Sequence, residues 1–216
     1  MDYAVARQHM VDSQVRTNKV TDERLIEAIR SLPRERFVPE RARARAYLDD
    51  DVEIAPGRYL MESMVAARLI QAADAKPDDM ALVVGAGTGY AAALLSRLAN
   101  TVVALESEPA LAQRASAVLA ELAIDNAAVV EGALNAGWPK HAPYNIIYLD
   151  GAVEQAPPAL VSQLADGGRM VGVLLDRGVG RATLWIKSGN AVSHRVLFDA
   201  NVAPLPGFAA PARFVL

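Results

Sequence analysis

The chain has 216 residues, of which 52% are hydrophobic and 22% charged, and its formal net charge is −3 with a pI of about 5.7. This composition predicts one large globular domain that can bury a sizeable core without cross-links. The absence of cysteine excludes disulfides and thiolate metal sites. Its three scattered histidines (His9, His141, His194) lack the spacing of a zinc site, so no metal is expected.

Charge and hydropathy also bear on partners. The slightly acidic chain has no global positive field that would attract nucleic acid. Its apolar runs, such as 170–175, are far shorter than the roughly 20 residues that span a bilayer. Asp2, Arg7, Gln8 and His9 stand near the start, where a signal peptide needs an apolar stretch. We therefore expect a cytoplasmic protein with neither nucleic-acid nor membrane partners.

The N-terminal part, residues 1–48, is predicted to be helical. One helix is expected to begin with Thr21 as its N-cap and to end at Pro33. The segment that follows, up to Tyr47, carries five arginines: Arg34, Arg36, Arg41, Arg43 and Arg45. An anionic-substrate or RNA-binding face is one interpretation. The acidic run 49–51 directly after it favours a solvated helix face instead.

From Met80 onward, short apolar runs alternate with helical segments. Strands are predicted at 81–84, 101–105, 127–130, 145–149 and 169–175, and helices at 90–98, 109–122 and 157–164. This alternation indicates a parallel sheet covered by helices on both faces. The runs 182–187 and 192–198, joined by Ser188-Gly189-Asn190, predict an antiparallel hairpin that closes the sheet.

A glycine-rich turn follows the first of these strands. Glycines at 85, 87 and 89 let the backbone turn tightly and let a ligand approach its N–H groups. A dinucleotide-binding G-x-G-x-x-G turn would need glycine at position 90, which is Tyr90. The G-x-G-x-G spacing is that of methyltransferases that use S-adenosylmethionine (SAM), although a purely structural turn stays open. The predicted cofactor-binding set here is Gly85, Ala86, Gly87, Thr88, Gly89 and Tyr90.

An acidic residue stands at the end of the next strand. Glu106 follows Gly85 by about 20 residues, where a carboxylate can accept hydrogen bonds from both ribose hydroxyls of an adenosine-containing ligand. A solvated strand-end charge is the alternative. Ligands of parallel sheets bind beyond the carboxyl ends of the strands, which adds Gly132, Ala133 and Asp150 to the predicted cofactor site.

Several stretches together resemble one family, the protein-L-isoaspartate O-methyltransferases. The resemblance keeps its order over nearly the whole chain, and it is carried by residues 28–38, 84–90, 104–112, 137–147 and 158–171. It implies a Rossmann-like α/β fold with a mostly parallel central sheet, a C-terminal antiparallel hairpin and an N-terminal helical extension. The expected division is an extension with the acceptor-side segment at 1–75 and a SAM-binding part at 76–216, forming one structural unit.

The resemblance also implies an activity. SAM would be the methyl donor and S-adenosylhomocysteine (SAH) the product, and the acceptor would be a carboxylate of a damaged protein or peptide, a protein-repair reaction. A carboxylate is already ionised at neutral pH, so this methylation requires no general base. Glu62 or Asp150 could act as a base if another acceptor needed one. The segment 202–208 resembles a family segment and could cover the acceptor side or simply dock as a tail.

The chain departs from the family pattern in the segment expected to contact the acceptor. Aligned on the motif that follows it, Tyr59, Met61 and Ser63 stand where the family has threonine, serine and proline, and these three are the predicted catalytic residues. Val83 and Ala133 stand where the family has acidic residues. Two alternatives therefore stay open, a methyltransferase of the same fold acting on another small molecule or peptide, and a noncatalytic SAM-binding protein. A dinucleotide oxidoreductase is disfavoured by Tyr90.

Overall fold

Nine strands and six helices make up the computed structural model, which describes residues 2–209 of the chain. The strands are β1 Val52–Ala55, β2 Arg58–Leu60, β3 Met80–Val84, β4 Thr101–Glu106, β5 Ala127–Glu131, β6 Tyr144–Val153, β7 Leu164–Asp176, β8 Val179–Ser188 and β9 Ala191–Asp199. The helices are α1 Tyr3–Met10, α2 Glu23–Ser31, α3 Ser63–Ala73, α4 Tyr90–Ser96, α5 Pro109–Glu121 and α6 Pro158–Ser162.

Seven of the strands form the central sheet in the order β5-β4-β3-β6-β7-β8-β9. Strands β3 to β7 pair in parallel, whereas β8 pairs antiparallel with both β7 and β9. This confirms the predicted α/β fold with a mostly parallel sheet and a C-terminal antiparallel hairpin. Side chains alternate between the two faces of the sheet. On β3, for example, Ala81 and Val83 join one apolar core and Leu82 and Val84 the other.

The part of the chain before β1, which we call the N-terminal layer, differs from its predicted form in two details. Helix α2 begins after Asp22, not Thr21, because the Asp22 carboxylate accepts a hydrogen bond from the backbone N–H of Arg24. The arginine-rich segment forms short 3₁₀ turns at Arg34–Arg36 and Glu40–Arg45. Arg41 and Arg45 are exposed as expected. Arg34 is not part of a solvated face, because it is completely buried.

The boundary between α6 and β7 differs from the prediction. Helix α6 stops at Ser162, and Leu164, predicted to end that helix, begins β7. The reason is a backbone pairing, in which the N–H of Tyr144 donates to the Gln163 carbonyl and Leu164 pairs with Tyr144. A helix cannot continue where its backbone carbonyl is already used by a neighbouring strand.

A small hairpin formed by β1 and β2 was not predicted. It lies between the N-terminal layer and α3, and its strands pair antiparallel, with a bulge between Glu53 and Ala55. Its turn is the dipeptide Pro56-Gly57, with Gly57 at a φ of 71° that favours glycine. Within the described part of the chain, no helix is long and apolar enough to cross a membrane.

Candidate functional site

The carboxyl ends of β3, β4 and β6 converge at one edge of the sheet, where the glycine-rich turn lies. Gly85, Gly87 and Gly89 all have positive φ angles, of 79°, 56° and 97°. The N–H groups of Gly85 and Ala86 both donate to the carbonyl of Leu105, which fixes the turn against the end of β4. Only glycine adopts such a succession of angles without strain, so the sequence spacing predicted this turn correctly.

Glu106 lies at the end of β4 as predicted, and its side chain is completely buried. Backbone N–H groups surround the carboxylate: Gly87 donates to Oε2 at 2.7 Å, and Ser107 and Glu108 donate to Oε1 at 2.8 and 3.0 Å. The Ser107 hydroxyl adds a longer bond to Oε1. Glu106 is therefore no solvated strand-end charge.

The Glu106 carboxylate is paired with an arginine that the sequence had not singled out. Arg58, the first residue of β2, donates from Nη1 to Oε1 and from Nη2 to Oε2, both at 2.7 Å. The same Nη2 lies 3.2 Å from the carbonyl oxygen of Gly85. Burial alone would raise the pKa of Glu106, but the bonds and charge of Arg58 and the backbone N–H groups outweigh burial, and the pKa is lowered.

Two apolar side chains cover the glycine turn next to this ion pair. A Cβ placed on Gly85 would lie 2.5 Å from Cδ2 of Leu205, and a Cβ on Gly87 would lie 2.8 Å from Cδ1 of Ile54. Leu205 belongs to the C-terminal segment 202–208, and Ile54 to β1. We call the β1–β2 hairpin and segment 202–208 together the cover.

The C-terminal half of the cover is attached to the sheet by backbone hydrogen bonds. The N–H of Ala152 in β6 donates to the carbonyl of Ala203 at 2.9 Å, and the N–H of Leu205 donates to the carbonyl of Ala152 at 2.8 Å. The segment thus adds a short parallel bridge to the end of β6. It lies over the glycine turn, which sequence reasoning had placed against a nucleoside.

These contacts allow a test of whether the site fits SAM. A carboxylate offers about four lone-pair positions. Glu106 already accepts six hydrogen bonds, two of them from Arg58. The two donors of Arg58 take the positions that two ribose hydroxyls would need, and Leu205 and Ile54 fill the space above the turn. The framework matches a nucleoside, but with the cover closed the residues do not fit the cofactor.

An open cavity adjoins the ion pair. It has a volume of about 480 Å³ and lies between the turn of the β1–β2 hairpin, the end of β4 and segment 202–208. Arg58, Ser107, Glu108 and Val153 are among its lining residues. Arg58 therefore both pairs with the buried carboxylate and lines a cavity whose other lining residues include the acidic Glu108.

Asp150 lies close to this ion pair, near the end of β6, as expected. Together with Asp51, Arg58, Met61 and Leu205 it lines a small cavity of about 10 Å³, room for about one water molecule. Burial raises the pKa of Asp150 to about 7, against the opposing effect of Arg58 and Arg34. Asp150 is thus a titratable group at the edge of the cleft.

The structure brings two of the three predicted catalytic residues, Tyr59 and Met61, to the small cavity and places Ser63 elsewhere. Tyr59 is 38% exposed and lines the small cavity next to Asp150. Met61 is buried, with its sulfur 3.6 Å from the hydroxyl of Tyr148. Ser63 is also buried, and its hydroxyl points to the sulfur of Met10, 2.8 Å away in the N-terminal layer.

The remaining predicted cofactor residues divide into two groups. Thr88 and Tyr90 serve the core: the Thr88 hydroxyl donates to the carbonyl of Phe37, and the Tyr90 ring packs edge-on against Phe37. Gly132 donates its N–H to the carbonyl of Glu106, and exposed Ala133 follows it. These two residues directly follow β5, at the carboxyl edge of the sheet where the rule for parallel sheets places ligands.

Buried Arg34 holds the base of the hairpin from below. Its guanidinium donates to the carbonyls of Ala46 at 2.7 Å and Met61 at 2.6 Å, and it stacks over the ring of Tyr90 at 4.8 Å. Asp51 Oδ1 also accepts a bond of 2.7 Å from the N–H of Glu62, which joins the two ends of the hairpin. The only sequence signal for Arg34 was its place inside a stretch that resembles a family.

Comparisons with known proteins agree on one family. The family model described as protein-L-isoaspartate(D-aspartate) O-methyltransferase matches residues 5–196. A protein of that name from Koribacter versatilis is 40% identical over 169 residues, which cover 78% of this chain and 76% of the relative. Another, from Herpetosiphon aurantiacus, is 38% identical over 201 residues, 93% of this chain and 90% of the relative.

Solved structures with the same name share the fold. One protein-L-isoaspartate O-methyltransferase superposes with a TM-score of 0.82 at 22% identity, covering 93% of this chain, which spans 66% of that structure. A second, named as the same enzyme from Plasmodium falciparum and solved in complex with SAH, has a TM-score of 0.77 at 18% identity and covers 92% of this chain and 97% of its own. At such identities the likeness is one of fold.

Proposed function

Since the chain belongs to the protein-L-isoaspartate O-methyltransferase family, a family of SAM-dependent enzymes, we propose that it methylates a carboxylate of a damaged protein or peptide. The relatives named above bear the methyltransferase name, so the comparisons do not favour the alternative of a binding-only protein. SAM is the proposed methyl donor and SAH the proposed product.

One observation carries this proposal. The Glu106 carboxylate is completely buried at the carboxyl end of β4, and the glycine turn points a backbone N–H at it. A buried carboxylate is costly, and a fold retains it only with strong partners. A parallel sheet places the sugar of an adenosine-containing ligand at this position, so the framework has the acceptor that the cofactor requires.

The chain's own residues would then act mainly by positioning. An isoaspartyl carboxylate is ionised at neutral pH, so no residue has to remove a proton from it. The protein contributes orientation and exclusion of water, which can supply much of the acceleration of such a reaction. Tyr59 is the hydroxyl of the predicted acceptor segment that remains accessible, and we propose that it contacts the acceptor.

Transfer of a labelled methyl group tests the proposal. The purified chain is incubated with radiolabelled SAM and an isoaspartyl peptide, beside the same peptide with a normal aspartyl residue. We expect label in the base-labile methyl ester of the isoaspartyl peptide alone, and much less with Glu106→Ala. Background counts in both peptides, from a protein that binds SAH by calorimetry, would remove the repair reaction and leave a different acceptor.

A further inference from the structure

The bond pattern around Glu106 implies competition for one acceptor. Arg58 presents two parallel N–H donors to the two carboxylate oxygens. A ribose would present two adjacent hydroxyl donors to the same group. The three backbone N–H donors of Gly87, Ser107 and Glu108 belong to the framework and remain in either case. Arg58 is the donor that has to leave.

The other covering side chains, Ile54 and Leu205, lie next to Arg58. Ile54 lies across the hairpin turn from Arg58 and fills the space above Gly87. Leu205 contacts Gly85 and Gly151 and lies beside Arg58 at the small cavity. Withdrawal of the hairpin would therefore free the carboxylate and clear the space above Gly87, while Leu205, whose segment is bonded to β6, would still cover Gly85.

Arg58 also has a second place to go. Arg58 and Glu108 both line the 480 Å³ cavity. The pKa of Arg58 is raised: burial would lower it, and the neighbouring carboxylates of Glu106, Asp150 and Glu108 outweigh burial. An arginine that leaves Glu106 can thus exchange one carboxylate for another and gain solvent.

We propose that Arg58 is an internal competitor of the cofactor and determines how tightly the protein binds it. This inference rests on the proposed function, because it takes SAM and SAH as the ligands. A molecule with a closed cover cannot bind SAH, so only the fraction of molecules with Arg58 withdrawn is competent. The measured dissociation constant is the intrinsic one divided by that fraction. Removal of Arg58 raises the fraction, so the affinity for SAH increases.

Calorimetric titration of SAH into wild type, Arg58→Ala and Arg169→Ala tests the proposal. Arg169 is the matched control because it pairs with Asp79 at 2.5 Å, is also largely buried, and lies at the opposite end of the sheet. We expect Arg58→Ala to bind SAH at least tenfold more tightly than wild type, and Arg169→Ala to bind it as wild type does.

Thermal unfolding supplies a second readout. Without ligand, Arg58→Ala should melt below wild type, since Glu106 is left buried without its countercharge. Saturating SAH should raise the melting temperature of Arg58→Ala by more than it raises that of wild type, because the sugar hydroxyls restore bonds to the carboxylate. Arg58→Lys keeps a charge but cannot donate two parallel bonds. Its melting temperatures should lie between those of wild type and Arg58→Ala.

Should Arg58→Ala not fold, Arg58→Lys replaces it, since lysine cannot donate two parallel bonds to Glu106; it should bind SAH several-fold more tightly than wild type. An affinity of Arg58→Ala or its substitute equal to or weaker than that of wild type overturns the competition. No binding by any variant at millimolar SAH overturns both the competition and the proposed cofactor. Tighter binding without methyl transfer to the isoaspartyl peptide supports the competition and rejects the proposed reaction.

Discussion

Two buried arginine–carboxylate pairs stand at opposite ends of the same sheet. Arg169 of β7 donates to Asp79, the residue before β3, and so joins two parts of the sheet framework. Arg58 donates to Glu106 and joins the cover to the framework. The first pair lies at the amino ends of the strands and the second at the carboxyl ends, where a ligand would bind. The same chemistry therefore serves permanent attachment in one place and exchangeable attachment in the other.

The largest expected effect comes from removing the carboxylate of the second pair. Glu106→Ala leaves Arg58 and the N–H groups around it buried without their acceptor, so we expect a loss of about 3–5 kcal/mol in the free energy of unfolding. Urea unfolding monitored by circular dichroism measures it. Glu131→Ala is the control, because exposed Glu131 pairs with Glu106 in register on β5. Equal, small losses in both variants would contradict the structural weight given to Glu106.

An intermediate effect is expected at the other pair. Asp79→Asn keeps the shape of the side chain and its place beside the N–H of Lys76, and removes the charge that faces Arg169. We expect a loss of about 2 kcal/mol in the free energy of unfolding, with unchanged affinity for SAH. Glu27→Gln, in an exposed pair with Arg30, should cost under about 0.5 kcal/mol. A change in SAH affinity with Asp79→Asn would erase the distinction between the two pairs.

The smallest effect is a dependence on pH at Asp150. Burial raises its pKa from 3.8 to about 7, so ionisation disfavours the folded state, and stability from this group falls as pH rises between these values and stays low above them. Asp150→Asn should therefore stabilise the protein by about 1 kcal/mol at pH 8 and have little effect at pH 4. The half-buried side chain is partly solvated, which reduces the effect that the shift would otherwise imply.

Urea unfolding of wild type and Asp150→Asn at pH 4, 6 and 8 measures that difference, and acid effects at other carboxylates cancel between the two proteins. Exposed Asp125 provides the control, since Asp125→Asn should leave the pH profile unchanged. A variant at position 150 that is less stable than wild type at pH 8 would show that the carboxylate is favourably bound there.

The framework could be predicted from sequence and the β1–β2 hairpin of the cover could not, for physical reasons. Strands β3 and β4 are continuous apolar runs ended by glycine or an acidic residue, so hydrophobic pattern alone places Gly85 and Glu106 at the same edge. Strands β1 and β2 have four and three residues, too short for a pattern. The Pro56-Gly57 turn was the one local signal there.

The partner of Glu106 lay beyond sequence reasoning altogether. Arg58 precedes Glu106 by dozens of residues, and nothing in the spacing of charges tells which arginine of an arginine-rich chain will be buried. The family pattern points instead to Tyr59, Met61 and Ser63. Of these, Ser63 points to Met10 in the N-terminal layer, because the start of α3 packs there and not against the cleft.

The attachment of the β1–β2 hairpin at its base determines how the hairpin could withdraw Arg58 from Glu106. Arg34 holds the carbonyl of Met61 from below, and Asp51 binds the N–H of Glu62. Both ends of the hairpin are therefore anchored at the same place, and a rotation of the hairpin that withdraws Arg58 from Glu106 would pivot there. The N-terminal layer and the sheet act as the fixed frame, and opening would withdraw Val52, Ile54 and Leu60 of the hairpin from the apolar core that they join.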